Sequence, residues 1–566
     1  MFETKDAIKS LKPYIEEYET EWRLKLDKNE NIYGASKYAL SALRNFDSEE
    51  VPFYPVNCKH IDKFAEMFDL KKDTILFTNG IDSALNLIIN TYLNSDDEFV
   101  SSNVTDDKSP IYAEAAGARV KFINFLGIGN DVDKLREAIP KEARICYISD
   151  PNNLTGSVIR ISAISKLFKE FPNTLFILNI SYVNFAQNID FRDYTDTIND
   201  FSNVIIVKSF SNDYALASLG LSVIVSNKRN IRNLKILNPD YTLNPMSLNS
   251  LISALNDKKY FEQVKEENIE ARELLYNGLI ELGFNPYKSE ANFILCDFGD
   301  YVKYYYNKLK NNGIIVKKFE EDSNVSSCLR ITVPKLGGVK FILSLLEKKD
   351  LIVFAFEDTL VDGLESYAQA LVLTLEHFSE FRTSFDVIKQ EKKFSDLHYF
   401  EIIQKLLEKE DIEIPLEEIS NVFKGIFYNP LYETEKQLIN KDRLLIDEDI
   451  LEQLSIKYDM ALVTDRLTRE ATYSLKKFGI EKYFSYIQQD SSRISNLYTK
   501  CPCKTIKLIT ANNEILANAT KASINTTGLI YESNNNNETI NNFKHYGCQH
   551  IIYGKENILK HFEINM

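Results

Sequence analysis

The chain has 566 residues, 44% of them hydrophobic and 26% charged, with a formal net charge of −15. That length exceeds one core and points to about two to four domains, while the acidic balance excludes a general nucleic-acid binder, whose phosphate contacts need clustered basic residues. No apolar run reaches the roughly 18 residues of a membrane span. The N-terminal MFETKDAIKSLKPYIEEYET lacks the apolar core of a signal peptide. Seven scattered cysteines suit a reducing compartment, so a cytoplasmic protein is expected. Cys501 and Cys503 form a lone C-x-C without a second ligand pair at metal spacing, which reads as packing rather than a zinc site.

In chain order, TILFT (74–78) reads as a strand and DSALNLIINTYL (82–93) as a helix. ARICYIS (143–149), TLFILNISY (174–182) and NVIIVKSF (203–210) are further β-rich runs bounded by polar turns. Such alternation predicts βα units around a largely parallel sheet. From 247 to 283 long helical patterns take over, followed by strands at NFILCDF (292–298) and GIIVKKF (313–319), the mark of a second lobe. The charged EKKD (347–350) then gives way to LIVFAF (351–356), a buried-strand signal. Residues 363–455 read as helical, and strands return at MALVTD (460–465), TIKLIT (505–510), TGLIY (527–531) and HIIYG (550–554). A strand, a helical insertion of roughly ninety residues and further βα units describe a doubly wound domain with a cap.

With these elements placed, residues 20–340 resemble fold-type I aminotransferases dependent on pyridoxal phosphate, of the histidinol-phosphate aminotransferase branch. LDKNENIYGAS (26–36) is similar to that family's N-E-N-P-Y-G segment, and FYP (53–55) to its R-Y-P segment. FTNGIDSAL (77–85), with Asp82, is similar to the phosphate-cradling turn that opens a helix, where backbone N–H groups favour an anion. DPNNLTGS (150–157) resembles the N-P-N-N-P-T-G loop, and LRITV (329–333) the strand of a substrate-carboxylate arginine. The resemblance implies an α/β PLP-transferase fold over 1–347. Its large parallel-sheet lobe is expected at about 50–245, and its small α+β lobe at about 1–49 and 246–347. It also implies a homodimer, with Tyr54 reaching the partner's site.

Pyridoxal phosphate is an electron sink, and such a protein supplies a lysine amine, an aspartate at the pyridine nitrogen and groups for the phosphate. Here the family's S-K-x-Y-x-L-A-x-L-R reads SNDYALASLG (211–220), with Asn212 at the lysine and Gly220 at the arginine. D-E-A-Y reads NISY (179–182), with Asn179 at the aspartate, and the ring-stacking aromatic falls at Ser109. An amide has no nucleophilic amine, and neutral asparagine does not stabilise a pyridinium as a carboxylate does. Asn153 and Tyr182 match groups on the ring hydroxyl, Ser209 and Ser211 match phosphate contacts, and Arg330 matches the carboxylate clamp. Lys208 belongs to the strand before the chain bends towards Asn212 and is not expected to substitute.

Residues 350–566 resemble haloacid-dehalogenase-type (HAD-like) phosphatases. FAFEDTLVD (354–362) is similar to F-D-x-D-G-T-L-V-D, and the segment from ALVTD (461–465) to FSYI (484–487) to the second motif, with Thr464 at the phosphate hydroxyl. TKCPCKTI (499–506) resembles K-P-x-P, with Lys500 at the phosphate-neutralising position, and LITANNEILANA (508–519) the G-D-x-x-x-D segment. The implied domain spans 348–566, with its core at about 348–362 and 456–566 and a helical cap at about 363–455. The nucleophile position is Ala355, the acid/base position Glu357 and the loop glycine Asp358. At the fourth motif the first acid is Ala511 and the second falls at Glu514 or Ile515, depending on register. Alanine has no oxygen to attack phosphorus or to ligate magnesium.

Both resemblances thus carry altered catalytic motifs. The expectation is a tandem pseudoenzyme, a non-catalytic binding, scaffolding or assembly protein with no cofactor, no metal and a homodimer through its aminotransferase-like part. The alternative is a residual aminotransferase of the histidinol-phosphate type, or a phosphatase, working with pyridoxal phosphate and magnesium. A second alternative is a sensor that binds an amino acid or phosphate ester through Arg330 and the phosphate turn.

Overall fold

The computed structural model describes residues 4–9, 11, 22–55, 58–102, 108–124, 132–238, 243–321, 323–379, 384–388, 399–428, 437–531 and 537–564. The chain divides into two compact units, Met1–Val302 with Gly313–Glu347, and Lys303–Asn312 with Lys348–Met566. In chain order the strands of the first are β1 (Leu24–Leu26), β2 (Ile75–Asn79), β3 (Glu98–Ser102), β4 (Arg119–Ile123), β5 (Ala143–Ser149), β6 (Leu175–Asn179), β7 (Val204–Ser209), β8 (Leu221–Ser226), β9 (Asn285–Pro286), β10 (Phe293–Asp297), β11 (Ile314–Lys318) and β12 (Cys328–Thr332).

Seven of these strands form one sheet in the order β2-β8-β7-β6-β5-β3-β4. The neighbours from β4 to β7 are parallel, while β8 runs antiparallel to both β7 and β2. Sequence reading finds the apolar strands β5 to β7 because both their faces are covered. Leu178, Val204 and Ile206 enter one core; Ile177, Ile205 and Val207 enter the other. It passes over β3, β4 and β8. Strand β4, RVKFI, is largely solvent-facing, and β8 follows a long connection, residues 210–220, that carries no hairpin signature. The second sheet has the order β1-β11-β12-β10-β9. Between the two sheets in sequence lie helices Pro245–Asn256, capped by Asn244, and Lys258–Glu281.

The second unit holds β13 (Leu351–Ala355), β14 (Val361–Asp362), β15 (Arg443–Leu444), β16 (Asp459–Thr464), β17 (Phe484–Gln489), β18 (Ile506–Thr510), β19 (Asn525–Ile530) and β20 (His550–Tyr553). Its main sheet has the order β17-β16-β13-β18-β19-β20, with every neighbouring pair parallel. That is the doubly wound arrangement, and ligands of such sheets bind where the order reverses, at the strands' carboxyl ends. Helices Leu364–Phe378, Tyr399–Glu408 and Leu416–Phe427 lie in the insertion between β13 and β16. They bury Leu371, Leu375, Ile403, Phe423 and Phe427 in a core of their own. Residues 380–383, 389–398 and 429–436 of the expected cap lie outside the described residues. Within this unit Asp459 accepts hydrogen bonds from Lys308 Nζ at 2.6 Å and Tyr304 OH at 2.7 Å. No described helix is long and apolar enough to cross a membrane.

Candidate active site

In the first unit, the carboxyl ends of β6 and β7 carry the residues singled out from sequence. Asn179, at the last position of β6, is buried and committed on both sides: Nδ2 donates to Tyr147 OH at 2.9 Å, and Oδ1 accepts from Ser181 N and Ser181 Oγ. Ser181 Oγ also accepts from Ser209 N, and Ser209 Oγ from Ser211 N, so these hydroxyls join the ends of the two strands. Tyr182 OH accepts from Asn29 Nδ2 at 3.0 Å, and its ring stands edge-on to Phe293.

The helix opened by the turn at 79–82 spans Gly80–Tyr92, with Asp82 in its first turn, 3.9 Å from Lys108 Nζ. Gly220, in the left-handed conformation, lies beside this helix start: a Cβ on Gly80 would be 3.8 Å from the Gly220 carbonyl carbon. Positions 80 and 220 therefore meet, and the space around Gly220 is open. Ser109 is buried at the start of another helix, Ser109–Ala115. Arg330 is fully buried, with Nη1 and Nη2 donating to the carbonyls of Asn153 and Asp27 and its guanidinium over the Phe293 ring. Tyr54 lies apart, 83% exposed in the apolar stretch that includes Val51 and Phe53.

Asn212 is half-buried in the turn after β7. Its neighbour Asp213 is fully buried and accepts from Lys208 Nζ at 2.6 Å and from Asn184 Nδ2 at 2.7 Å. Burial pushes the Asp213 carboxyl up, while Lys208 and Asn184 pull it down. Asn31 Nδ2 donates to the Asp213 carbonyl. Sequence reading quoted the segment 26–36 for its resemblance but missed that its asparagines bond to this loop and to Tyr182. A residue that polar, in a segment with no periodicity, was the available signal.

Asp150 adds a titratable group beneath the loop. It accepts from Tyr194 OH and Ile159 N, and burial raises its carboxyl to about 6. The folded protein therefore holds a proton that the unfolded chain releases near pH 4. The resulting stabilisation is complete below that pH and is lost as pH rises to about 6, where a two-unit shift corresponds to about 3 kcal/mol. Urea unfolding measured across this window is expected to show that slope in the native protein and to lose it in Asp150→Asn.

In the second unit, Ala355 ends β13 and Thr464 ends β16. Glu357 Oε1 accepts from Thr464 Oγ1 at 2.5 Å and from Arg466 N, while its buried Oε2 has no hydrogen-bond partner. Burial raises the Glu357 carboxyl, with Arg466 opposing. Arg466, which sequence reading did not select, is buried against Phe356, Tyr367 and Phe427, and its Nη1 donates to Asp442 at 2.5 Å. Ala511 N donates to Thr359 Oγ1. Asn512 caps helix Asn513–Lys521, which turns Ile515 into the core and leaves Glu514 beside the cleft. These strand ends surround a cleft of about 450 Å³ lined by Glu357, Asp358, Asp465, Asp490 and Glu514, among others. Lys500, at the end of helix Leu497–Lys500, is not among the lining residues. Burial raises the thiols of Cys501 and Cys503, the latter to about 11.

Comparison with known proteins places residues 25–337 in the pattern of aminotransferase class I and II. The histidinol-phosphate aminotransferase of Moorella thermoacetica is 28% identical over 326 residues, covering 55% of this chain and 84% of that protein. That of Clostridium botulinum is 26% identical over 358 residues, covering 61% and 97%. Among solved structures, histidinol-phosphate aminotransferase from Sinorhizobium meliloti in complex with pyridoxal-5'-phosphate aligns with a TM-score of 0.53 and 19% identity, over 58% of this chain and 90% of that one.

Two expectations are overturned by these findings: that the chain is a non-catalytic binding, scaffolding or assembly protein, and that it takes no cofactor. Its relatives bear the name of a catalytic aminotransferase, and a chain of the same fold holds pyridoxal phosphate. The fault in the expectation was to read the fate of the whole site from a few motif positions, Asn212, Asn179 and Gly220. Over its matched residues, the chain belongs to the aminotransferase class I and II family.

Proposed function

We propose that the first unit is a pyridoxal-phosphate-dependent aminotransferase for a phosphorylated amino compound of the histidinol-phosphate type. The observation that carries this reading is the match over 25–337, with relatives of that name covered over 84–97% of their length. Asn212 does not fit a covalently held cofactor; Lys208, the single lysine of the strand and turn 204–220, is the candidate, and its amine would have to leave the buried ion pair with Asp213. When bound, the cofactor would supply an electron sink for the substrate's α-carbon. The start of helix Gly80–Tyr92, with Ser209 and Ser211, is assigned to an anionic group, and Asn153 and Tyr182 to orientation of a ring. Asn179 offers a neutral amide where family members place a carboxylate. Arg330 would have to release the carbonyl of Asn153 or Asp27 to take a substrate carboxylate. The exposed stretch around Tyr54 supports a homodimer formed through this unit. The free thiols of Cys146, Cys296, Cys328, Cys501, Cys503 and Cys548 support a reducing, cytoplasmic setting.

The test is borohydride reduction of protein incubated with pyridoxal phosphate, then peptide mass spectrometry. A pyridoxyl adduct on Lys208 is expected, together with amino transfer from histidinol phosphate that Lys208→Ala abolishes. Protein that takes up no cofactor and transfers no amino group would sink the reading.

For the second unit we propose a HAD-like domain at 348–566, joined to an aminotransferase domain at 1–347, with 363–455 as its cap. The reversing order of its parallel strands and the helices inserted after β13 support this reading.

A further inference from the structure

The chain enters the second unit twice. After β10 it leaves the first unit at Val302, contributes Lys303–Asn312 to the second, and returns at Gly313 just before β11. The inserted piece is helix Val302–Asn311, and one stripe of it is hydrogen-bonded along its length. Tyr304 OH and Lys308 Nζ donate to Asp459, the first residue of β16. Asn307 Nδ2 donates to the Ser485 carbonyl at 3.2 Å, and Asn311 Nδ2 to the carbonyls of Phe484 at 2.9 Å and Glu481 at 3.3 Å, around the start of β17. Positions 304, 307, 308 and 311 share one helix face. The Lys308 and Asp459 side chains are 5% and 6% exposed, so a displaced helix would strand a buried charge. Directional bonds and a buried ion pair thus set where this helix sits.

Both ends of the helix run into the small sheet of the first unit. Only Asn312 and Gly313 separate it from β11. Gly313 is itself held: its carbonyl accepts from Arg23 N at 2.7 Å and Leu24 N at 3.0 Å, and a Cβ on it would lie 3.1 Å from Arg23 N. On the other side, residues 298–301 separate the helix from β10. Strand β12 lies between β11 and β10, and its Arg330 is in register with Lys317 on one side and Leu295 on the other. The arginine assigned to a substrate carboxylate is therefore flanked by the two strands that lead into the helix. Two residues span at most about 7 Å, which leaves little slack to absorb a shift of the helix.

We propose that Lys308 and Asp459 are positioning residues for Arg330: by seating helix Val302–Asn311 in the second unit, they hold the sheet that carries the arginine. The order of the second unit then acts on the first unit's site through the chain itself. The expected effect on substrate affinity rests on the aminotransferase reading; the effect on the sheet does not.

The experiment is amide hydrogen exchange of the full chain, read by peptide mass spectrometry in the native protein, in Asp459→Asn and in the double variant Lys308→Met with Asp459→Asn. The single variant alters only the second unit's own sheet. The double variant leaves no charge stranded, which keeps the test readable if the single one folds poorly. Exchange at 303–312, 314–318 and 328–332 is expected to speed at least about fivefold in the double variant, while β5 to β7 keep native rates. Faster exchange at 303–312 with native rates in β11 and β12 would overturn the proposal. So would native rates at 303–312, or loosening that spreads equally to β5 to β7. In transamination with L-glutamate as the carboxylate-bearing donor, the double variant should raise KM at least about fivefold and change kcat less, the mark of weakened binding. An unchanged KM in an active double variant overturns the proposal too. Native protein that transfers no amino group sinks the aminotransferase reading instead, and the exchange result then decides this one alone.

Discussion

Asp442→Ala is expected to destabilise the second unit by about 3–5 kcal/mol, the loss typical when one member of a buried ion pair is removed. Arg466 and Asp442 side chains are 4% and 0% exposed, and the pair is enclosed by further bonds. Ser366 Oγ donates to Asp442 Oδ1, Ser474 Oγ to Oδ2, and Arg466 Nη2 to the Gly363 carbonyl. Removing the carboxylate leaves a guanidinium among Phe356, Tyr367 and Phe427 without its hydrogen-bonded counter-charge, with Glu357 left to act on it. Urea unfolding followed by circular dichroism should show an early transition for the second unit in Asp442→Ala. In the double variant Asp442→Ala with Arg466→Met the loss should be smaller, because no charge remains stranded. Equal losses in the two would mean that packing, not pairing, holds this region.

Lys208→Met is the second large effect, and it reads on two scales. The Lys208 and Asp213 side chains are 1% and 0% exposed, so removing the ammonium strands a buried carboxylate and should cost about 3–5 kcal/mol. Adding Asp213→Asn should recover part of that stability while leaving cofactor fixation absent. The double variant therefore separates folding from chemistry: a stable protein that takes up no borohydride-fixed cofactor assigns the amine to Lys208. Fixation that persists in it points to another lysine.

How much of this was legible in the sequence follows from which interactions are local. Runs such as FILN and VIIV announce strands covered on both faces, and the turn at 79–82 announces a helix start, because periodicity and turn chemistry act within a few residues. The antiparallel strand β8 was not legible, since LSVIVS reads alike in either direction and its pairing with β7 and β2 is decided by neighbours far away in the chain. The same holds at the sites. Asn212 is visible as a departure from a motif, yet the nearby amine belongs to a strand residue whose ion pair forms only when the chain folds back.

By itself, then, the sequence determined the alternation of strands and helices and which side chains occupy each motif position. Tertiary structure alone decided which polar groups became partners: Lys208 with Asp213, Asn29 with Tyr182, and Arg466 with Asp442, the last two pairs more than twenty residues apart. Secondary structure follows from short-range patterns, whereas buried polar groups must find partners wherever the fold brings a donor and an acceptor within about 3 Å.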